Sequence, residues 1–415
     1  MCTNTVKRET SQVHRNRKAN KIFQGMASAV LIQAFFAFRR CLDMFVDFIF
    51  GLYWESKRQP IPDLLPRHRM LTESAVTLAT RIRNKELTSE ELVQACIERI
   101  KLIQDNSGIQ VSSFLRKLTQ PGSNLEPRLR KASTPPPRNH LSLALRSGLE
   151  PSMAAVGFVS RHCSDLAPLT AVVAGDQAPL LNLHAHVDLN TINYYYVETA
   201  GDLRVSPISS ELRQAMNKVV AKLTELAPST DKAPKPYYHK GFNYMFALWR
   251  YWMTKETDKF PKMLANNRGE VKGLVELPKK LLGMSQFTMA AILKLLDEQV
   301  MPQVNAEWAE QLTKEFSDDI ISRLGERGVL LFPSAPAAAP HHATLLLRPF
   351  NFSYWGVFNV LRLPAAQVPL GLNSKGLPIG IQVVAGPRQD ALCLAVAKLL
   401  EREFGGYVPP CKILE

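Results

Sequence analysis

Apolar residues along this chain fall into short periodic blocks, separated by stretches that have no period at all. Ser74–Asn84 sets Val76, Leu78, Ala79 and Ile82 along one helical face. A second helix follows, opened by the capping box Thr88-Ser89-Glu90-Glu91 and continued by Leu92, Cys96, Ile100 and Ile103 at helical spacing. Further on, Asp165 to Leu169 reads as a helix start, Thr191–Val197 as a strand and Ser210–Leu226 as an amphipathic helix. Residues 242–300 are helical in pattern and heavily apolar on one side: Phe246, Trp249, Trp252, Leu281, Met284, Phe287 and Ile292 serve either as core or as the wall of an apolar channel. Glu307–Leu324 is another helix. Val329–Phe332 reads as a buried strand, and Ala366–Leu372 and Leu377–Ala385 as strands joined by the turn Asn373-Ser374-Lys375-Gly376. The helix Asp390–Glu403 stops at Gly405-Gly406, where a left-handed cap is at home. Strands mixed with helices in this order predict an α/β fold, a mixed β-sheet packed with helices.

Two regions break the pattern. Residues 26–54 are apolar, but the longest uncharged run, Met26–Phe38, is shorter than the ~20 residues of a spanning helix. Arg39, Arg40, Asp43 and Asp47 interrupt the rest. On a helix Arg39, Asp43 and Asp47 lie four apart and form one polar stripe, with Phe35, Phe38, Phe45, Phe48, Phe50 and Trp54 over the remaining circumference. That distribution suits an amphipathic helix lying in a membrane interface better than a span; a buried core helix is the plainer alternative. Residues 104–152 carry a proline run, Pro135 to Pro137, scattered Ser and Arg, and one aromatic, Phe114. They read as a basic linker of low order.

Charge confirms the division. Of the formal net charge of +14, residues 1–24 contribute +5 and residues 104–152 contribute +4. The remainder is balanced, so no nucleic-acid partner is expected. The six cysteines include no CxxC pair, which excludes a zinc ribbon or a disulfide-stapled module and fits a reducing, intracellular compartment. His184-Ala185-His186-Val187-Asp188 has the alternation of a metal strand, but the next histidine of that pattern is replaced by Leu189; no metal and no cofactor are expected. The expected organisation is a basic tail over 1–25, a membrane-associated helix over 26–54, a helix pair over 71–103, a linker over 104–156 and a folded C-terminal part over 157–410.

Several motifs carry a family resemblance. Leu71–Ile103 resembles the N-terminal helix pair of the amidase-signature enzymes. Leu330 to Ser334, Arg348-Pro349-Phe350-Asn351-Phe352, Val368 to Asn373 and Gly376 to Gly386 resemble, in order and spacing, that family's C-terminal half, most nearly its fatty-acid amide hydrolases of the second type. The resemblance implies hydrolysis of an amide joining a fatty acyl chain to a small amine. It also implies a serine nucleophile, a second serine relaying the proton, a lysine base and a glycine- and serine-rich strip supplying oxyanion donors. That machinery belongs between the helix pair and Gly157. Here the interval holds only the basic stretch, with Lys117, Lys131 and Ser112-Ser113 out of context, and the sole adjacent glycines of the chain are Gly405-Gly406. No catalytic residue is assigned, and the chain reads as an amidase with its catalytic core missing, either inactive or a truncated form. By the same resemblance Phe350, Asn351, Phe352, Trp355 and Phe358 belong to an acyl-chain pocket, with core packing as the alternative. Expected partners are membrane lipids, a fatty-acyl amide ligand, and a second copy or a full-length relative.

Overall fold

The computed structural model describes residues 31–107, 155, 157–255, 260–266 and 268–414. The basic tail and nearly all of the expected linker lie outside these residues.

A helix over 31–54 (α1) leads into short 3₁₀ turns and then the expected pair, Ala75–Arg83 (α2) and Ser89–Ser107 (α3). Both helix starts are capped as the sequence dictates. Ser74 Oγ accepts the Thr77 N–H at 3.0 Å, and Thr88 and Glu91 satisfy each other's backbone N–H groups at 3.1 and 2.8 Å. After the interval come Leu166–Ala174 (α4), Asn193–Tyr196 (β1), Ser210–Glu225 (α5) and the two-residue strand Lys235–Pro236 (β2). Residues 242–300 are helical but broken into Met245–Met253 (α6), Phe260–Leu264 (α7), Gly273–Leu281 (α8) and Met289–Gln299 (α9). The rest follows as Ala306–Leu324 (α10), Gly328–Pro333 (β3), Ser353–Leu361 (α11), Ala365–Leu372 (β4), Pro378–Ala385 (β5) and Asp390–Phe404 (α12).

The five strands form one mixed sheet in the order β2-β1-β3-β5-β4. β1 runs parallel to both β2 and β3, and β3–β5–β4 is antiparallel. The expected fold class, a mixed β-sheet packed with helices, is the one observed. β3 is buried along its whole length, and its side chains alternate between two cores. Leu330 and Phe332 face Phe242, Phe316, Tyr354 and Phe358 from α6, α10 and α11 and their connections. Val329 and Leu331 face Val219 and Leu223 of α5 and Val396 and Leu400 of α12. β4 lies at the edge of the sheet and shifts register between Pro369 and Leu372.

The chain on either side of the interval is stitched together by polar contacts. Arg161 donates to the Leu71 carbonyl at 2.9 Å, and the His162 ring meets the Thr72 carbonyl at 2.7 Å. Gln59 to Asp63 reads as a linker, yet its end is held. Arg99 of α3 donates to the Pro62 and Asp63 carbonyls at 2.7 and 2.9 Å, and Leu64 bridges to Ile413.

Among the described residues no helix is long and apolar enough to cross a membrane. The orientation of α1 differs from a polar stripe turned toward water. Arg348, only 6% exposed, reaches the stripe from the body, with Nε 3.0 Å from Asp43 Oδ1 and Nη2 2.9 Å from Asp47 Oδ1. Arg39 and Asp43 face inward and Asp47 lies at the margin; Phe35, Phe38, Phe45 and Phe48 are exposed, while Phe50 and Trp54 are half-buried.

Candidate functional site: a cavity at the free edge of the sheet

A cavity of about 1010 Å³ opens beside β4, the strand at the sheet edge among the described residues. One wall is α11, which presents Trp355 and Phe358; the loop Ser334–Ala339 and β4 residues Ala366 and Gln367 form another, and Ser160, Leu166 and Thr170 close the side reached just after the interval. The lining is more apolar than polar, with Arg362, Arg388 and Asp390 as its charged residues.

The five expected pocket residues separate into three groups. Trp355 and Phe358 line the cavity, Trp355 being 50% exposed and Phe358 being packed at 5.1 Å centroid distance on Phe332. Phe350 and Phe352 turn instead toward α6, meeting Phe246 at 4.3 Å and Trp249 at 4.5 Å. Asn351 is buried, accepting the Ser206 N–H at 2.8 Å and donating to Ser206 Oγ at 3.1 Å. Tyr354 donates to the Ser206 carbonyl at 3.0 Å, so the two side chains together fix the connection before α5. A buried amide with both ends used in this way is a structural tie.

α11 itself was absent from the sequence reading. Its signal was present, because Tyr354, Val357, Phe358 and Leu361 recur at positions i, i+3, i+4 and i+7 and all are buried.

Both serines at the cavity have settled partners. Ser160 Oγ donates to Asp165 Oδ2 at 2.7 Å, and Ser334 Oγ donates to Gln367 Oε1. Ser160, His162 and Asp165 are the residue types of a serine triad, but their bonding is not that of one. The carboxylate holds the serine directly and also the backbone of α2, while the imidazole is spent on Thr72. The thiol at the cavity, Cys393, is driven well above its usual range by burial and by neighbouring Asp390, whose own carboxyl is raised by burial. Cys163 nearby is pushed up to about 11, by burial first and then by Glu401. Both sulfurs are therefore held as thiols at neutral pH. Lys117, Lys131 and Ser112-Ser113 lie outside the described residues.

His184 and His186 are exposed, and Asp188 Oδ1 accepts the Asn190 N–H at 3.0 Å as a turn cap. Among the described residues no three His, Cys, Asp or Glu side chains converge in a way that would hold a metal ion.

The Amidase family profile matches residues 135–394, more than half of the chain, and the chain belongs to that family. The match opens inside the stretch expected to be a linker. Among proteins to which the chain is similar, human "Fatty-acid amide hydrolase 2" is 39% identical over 277 residues, which covers 65% of this chain and 52% of that protein. The zebrafish "Fatty-acid amide hydrolase 2-B" is 35% identical over 272 residues, covering 64% and 51%. The chain thus spans about half the length of the relatives it matches. Among solved structures, one described as "Fatty acid amide hydrolase" superposes with a TM-score of 0.37 at 16% identity, over 61% of this chain and 48% of that one.

Proposed function

We propose that this chain is a fatty-acyl-amide-binding member of the amidase family that associates with a membrane and does not hydrolyse amides by itself. The observation that carries this reading is the cavity beside β4. It offers Trp355, Phe358 and a row of small apolar residues to an acyl chain, while of its two serines Ser160 donates to Asp165, a carboxylate held below its ordinary pKa and already shared with the backbone of α2, and Ser334 donates to the Gln367 amide oxygen. Serine attack on an amide needs a hydroxyl deprotonated by a positioned base and preorganised donors for the oxyanion. The sequence supports the same reading, since it holds no Gly-Ser-Ser-Gly-Gly strip. α1, with its exposed aromatic side chains, supports membrane association.

Two measurements on the purified full chain test this. A fluorescent fatty-acyl amide is expected to bind saturably. A fluorophosphonate serine probe is expected to leave the protein unlabelled. Labelling of any serine within 104–165 would make the chain a hydrolase in its own right. Absence of saturable binding would remove the acyl pocket.

A further inference from the structure

The cavity beside β4 has a charged end. Arg362 and Arg388 both line it, both side chains are exposed, and the lining sets only Asp390 against them. It therefore carries one more cation than carboxylate. The two arginines come from different turns, Arg362 at the end of α11 and Arg388 just before α12. Strand pairing brings those turns together. Ala365 of β4 lies opposite Val384 of β5, and the Ala385 N–H donates to the Pro364 carbonyl at 3.1 Å. The chain entering β4 from Arg362 and the chain leaving β5 toward Arg388 thus pass the same end of the sheet.

Both arginines hold a backbone conformation that favours glycine. Arg362 has a φ of 55° and Arg388 a φ of 61°. In this left-handed region the Cβ crowds the following carbonyl, which is why helices so often end there on glycine, as α12 does at Gly405. Glycine would make either turn without that cost. What each arginine adds is a guanidinium at the cavity.

α11 gives the cavity a direction. Trp355, Phe358 and Arg362 all line it, at positions i, i+3 and i+7 of the helix and its cap. At 1.5 Å of rise per residue, Trp355 and Arg362 stand about 10 Å apart along the axis. The wall runs from an aromatic end to a cationic end. An acyl chain laid along Trp355 and Phe358 brings its polar end to Arg362. A guanidinium presents a planar fork of N–H donors that matches a carboxylate with two parallel bonds. A neutral amide offers it no charge to pair with.

We propose that the cavity takes acyl chains that end in a carboxylate, with Arg362 and Arg388 holding the carboxylate and Trp355 and Phe358 flanking the chain. This rests on the acyl-cavity reading above and adds the head group. Such a carboxylate belongs either to a free fatty acid or to a fatty-acyl amide whose amine part is an amino acid.

Titration calorimetry of the full chain with oleic acid, N-oleoylglycine and oleamide tests this. At least one of the two acids is expected to bind about ten-fold more tightly than oleamide, and raised salt is expected to shrink that margin. Tighter binding of oleic acid makes the ligand a free fatty acid; tighter binding of N-oleoylglycine makes it an acyl amino acid. Arg362→Gly/Arg388→Gly keeps both left-handed turns, so its Tm is expected to stay close to that of the wild type while the preference for acids disappears. If oleamide binds the wild type as tightly as the acids, or the glycine variant keeps the preference, the carboxylate site fails while the acyl cavity stands. A preference that salt leaves unchanged also overturns it, and this needs no variant. If none of the three ligands binds, the acyl-cavity reading itself fails.

Discussion

Asp165 caps a helix that begins ninety residues before it. Its carboxylate accepts the Ala75 N–H at 3.0 Å and the Val76 N–H at 3.2 Å, and it is almost wholly buried. The first N–H groups of α2 have no intrahelical acceptor, and a carboxylate there meets both the unpaired donors and the positive end of the helix dipole. The helix pair and the sheet domain are joined at this point across the interval. Asp165→Ala leaves two backbone donors and Ser160 Oγ without their acceptor and is expected to cost about 2–4 kcal/mol. Urea denaturation gives the magnitude, and hydrogen exchange across Ala75–Arg83 should accelerate before the rest of the protein opens.

The same carboxylate makes stability depend on acid. Burial pushes the Asp165 carboxyl up, but the Ala75 and Val76 amides and Ser160 together outweigh it and hold the group below its ordinary value. A folded-state pKa lower than the unfolded one contributes stability above the unfolded pKa of ~3.9 and loses it as pH falls through the folded value. The wild type is therefore expected to lose stability as the medium is acidified below about pH 4, with a shallower loss in Asp165→Asn. Equal acid slopes for the two proteins would count against the assignment.

Trp355 and Phe358 stand one turn apart on α11 and are expected to respond differently to truncation. Phe358→Ala empties a packed site against Phe332 and should cost about 3–5 kcal/mol. Trp355→Ala removes a half-exposed ring and should change stability by under about 1 kcal/mol. Its effect should appear in fatty-acyl amide binding, weakened by about ten-fold. Loss of stability without loss of binding would make Trp355 a packing residue.

Arg250 is a buried cation with four partners. Its Nε lies 2.8 Å from Asp297 Oδ1, and its Nη groups donate to the carbonyls of Asp297, Met301 and Pro302. It ties α6 to the end of α9. Arg250→Met leaves three carbonyls without their donor and Asp297 with Lys294 alone at 3.7 Å, and is expected to cost about 2–4 kcal/mol. Arg250→Met/Asp297→Leu removes the weakened charge pair as well, leaves Lys294 to Glu298 at 3.0 Å, and should recover part of that loss in thermal unfolding.

Where local pattern suffices, sequence and structure agree closely. The capping residues Ser74 and Thr88, the period of Ser210–Glu225, the buried run at Gly328–Pro333 and the turn at Asn373–Gly376 are all decided within a few residues. The same holds for Gly405, whose positive φ of 82° ends α12. α11 is the exception, because its helical period was masked by aromatic residues that serve two different neighbours.

The candidate site was legible only in part. Phe350, Asn351, Phe352, Trp355 and Phe358 are close in sequence, but a helix start turns them in three directions: toward α6, toward Ser206 and toward the cavity. Ser160 and Ser334, which border that cavity, are 174 positions apart, and only Ser334 lies in a motif. Their convergence is a product of sheet order, with β4 at the edge and the chain after the interval folded against it.

By itself the sequence determined which segments become helix or strand, the family of the chain, and the absence of a glycine- and serine-rich strip, because each is encoded in adjacent or regularly spaced residues. Tertiary structure decided which way the α1 stripe faces. From sequence, Arg39, Asp43 and Asp47 satisfy one another along the helix, and nothing turns them toward water or toward protein. Arg348, 305 positions beyond Asp43, supplies the buried cation that pairs with both carboxylates and leaves the aromatic face outside. A charge pair between residues so far apart exists only once the chain has folded, and no local period announces it.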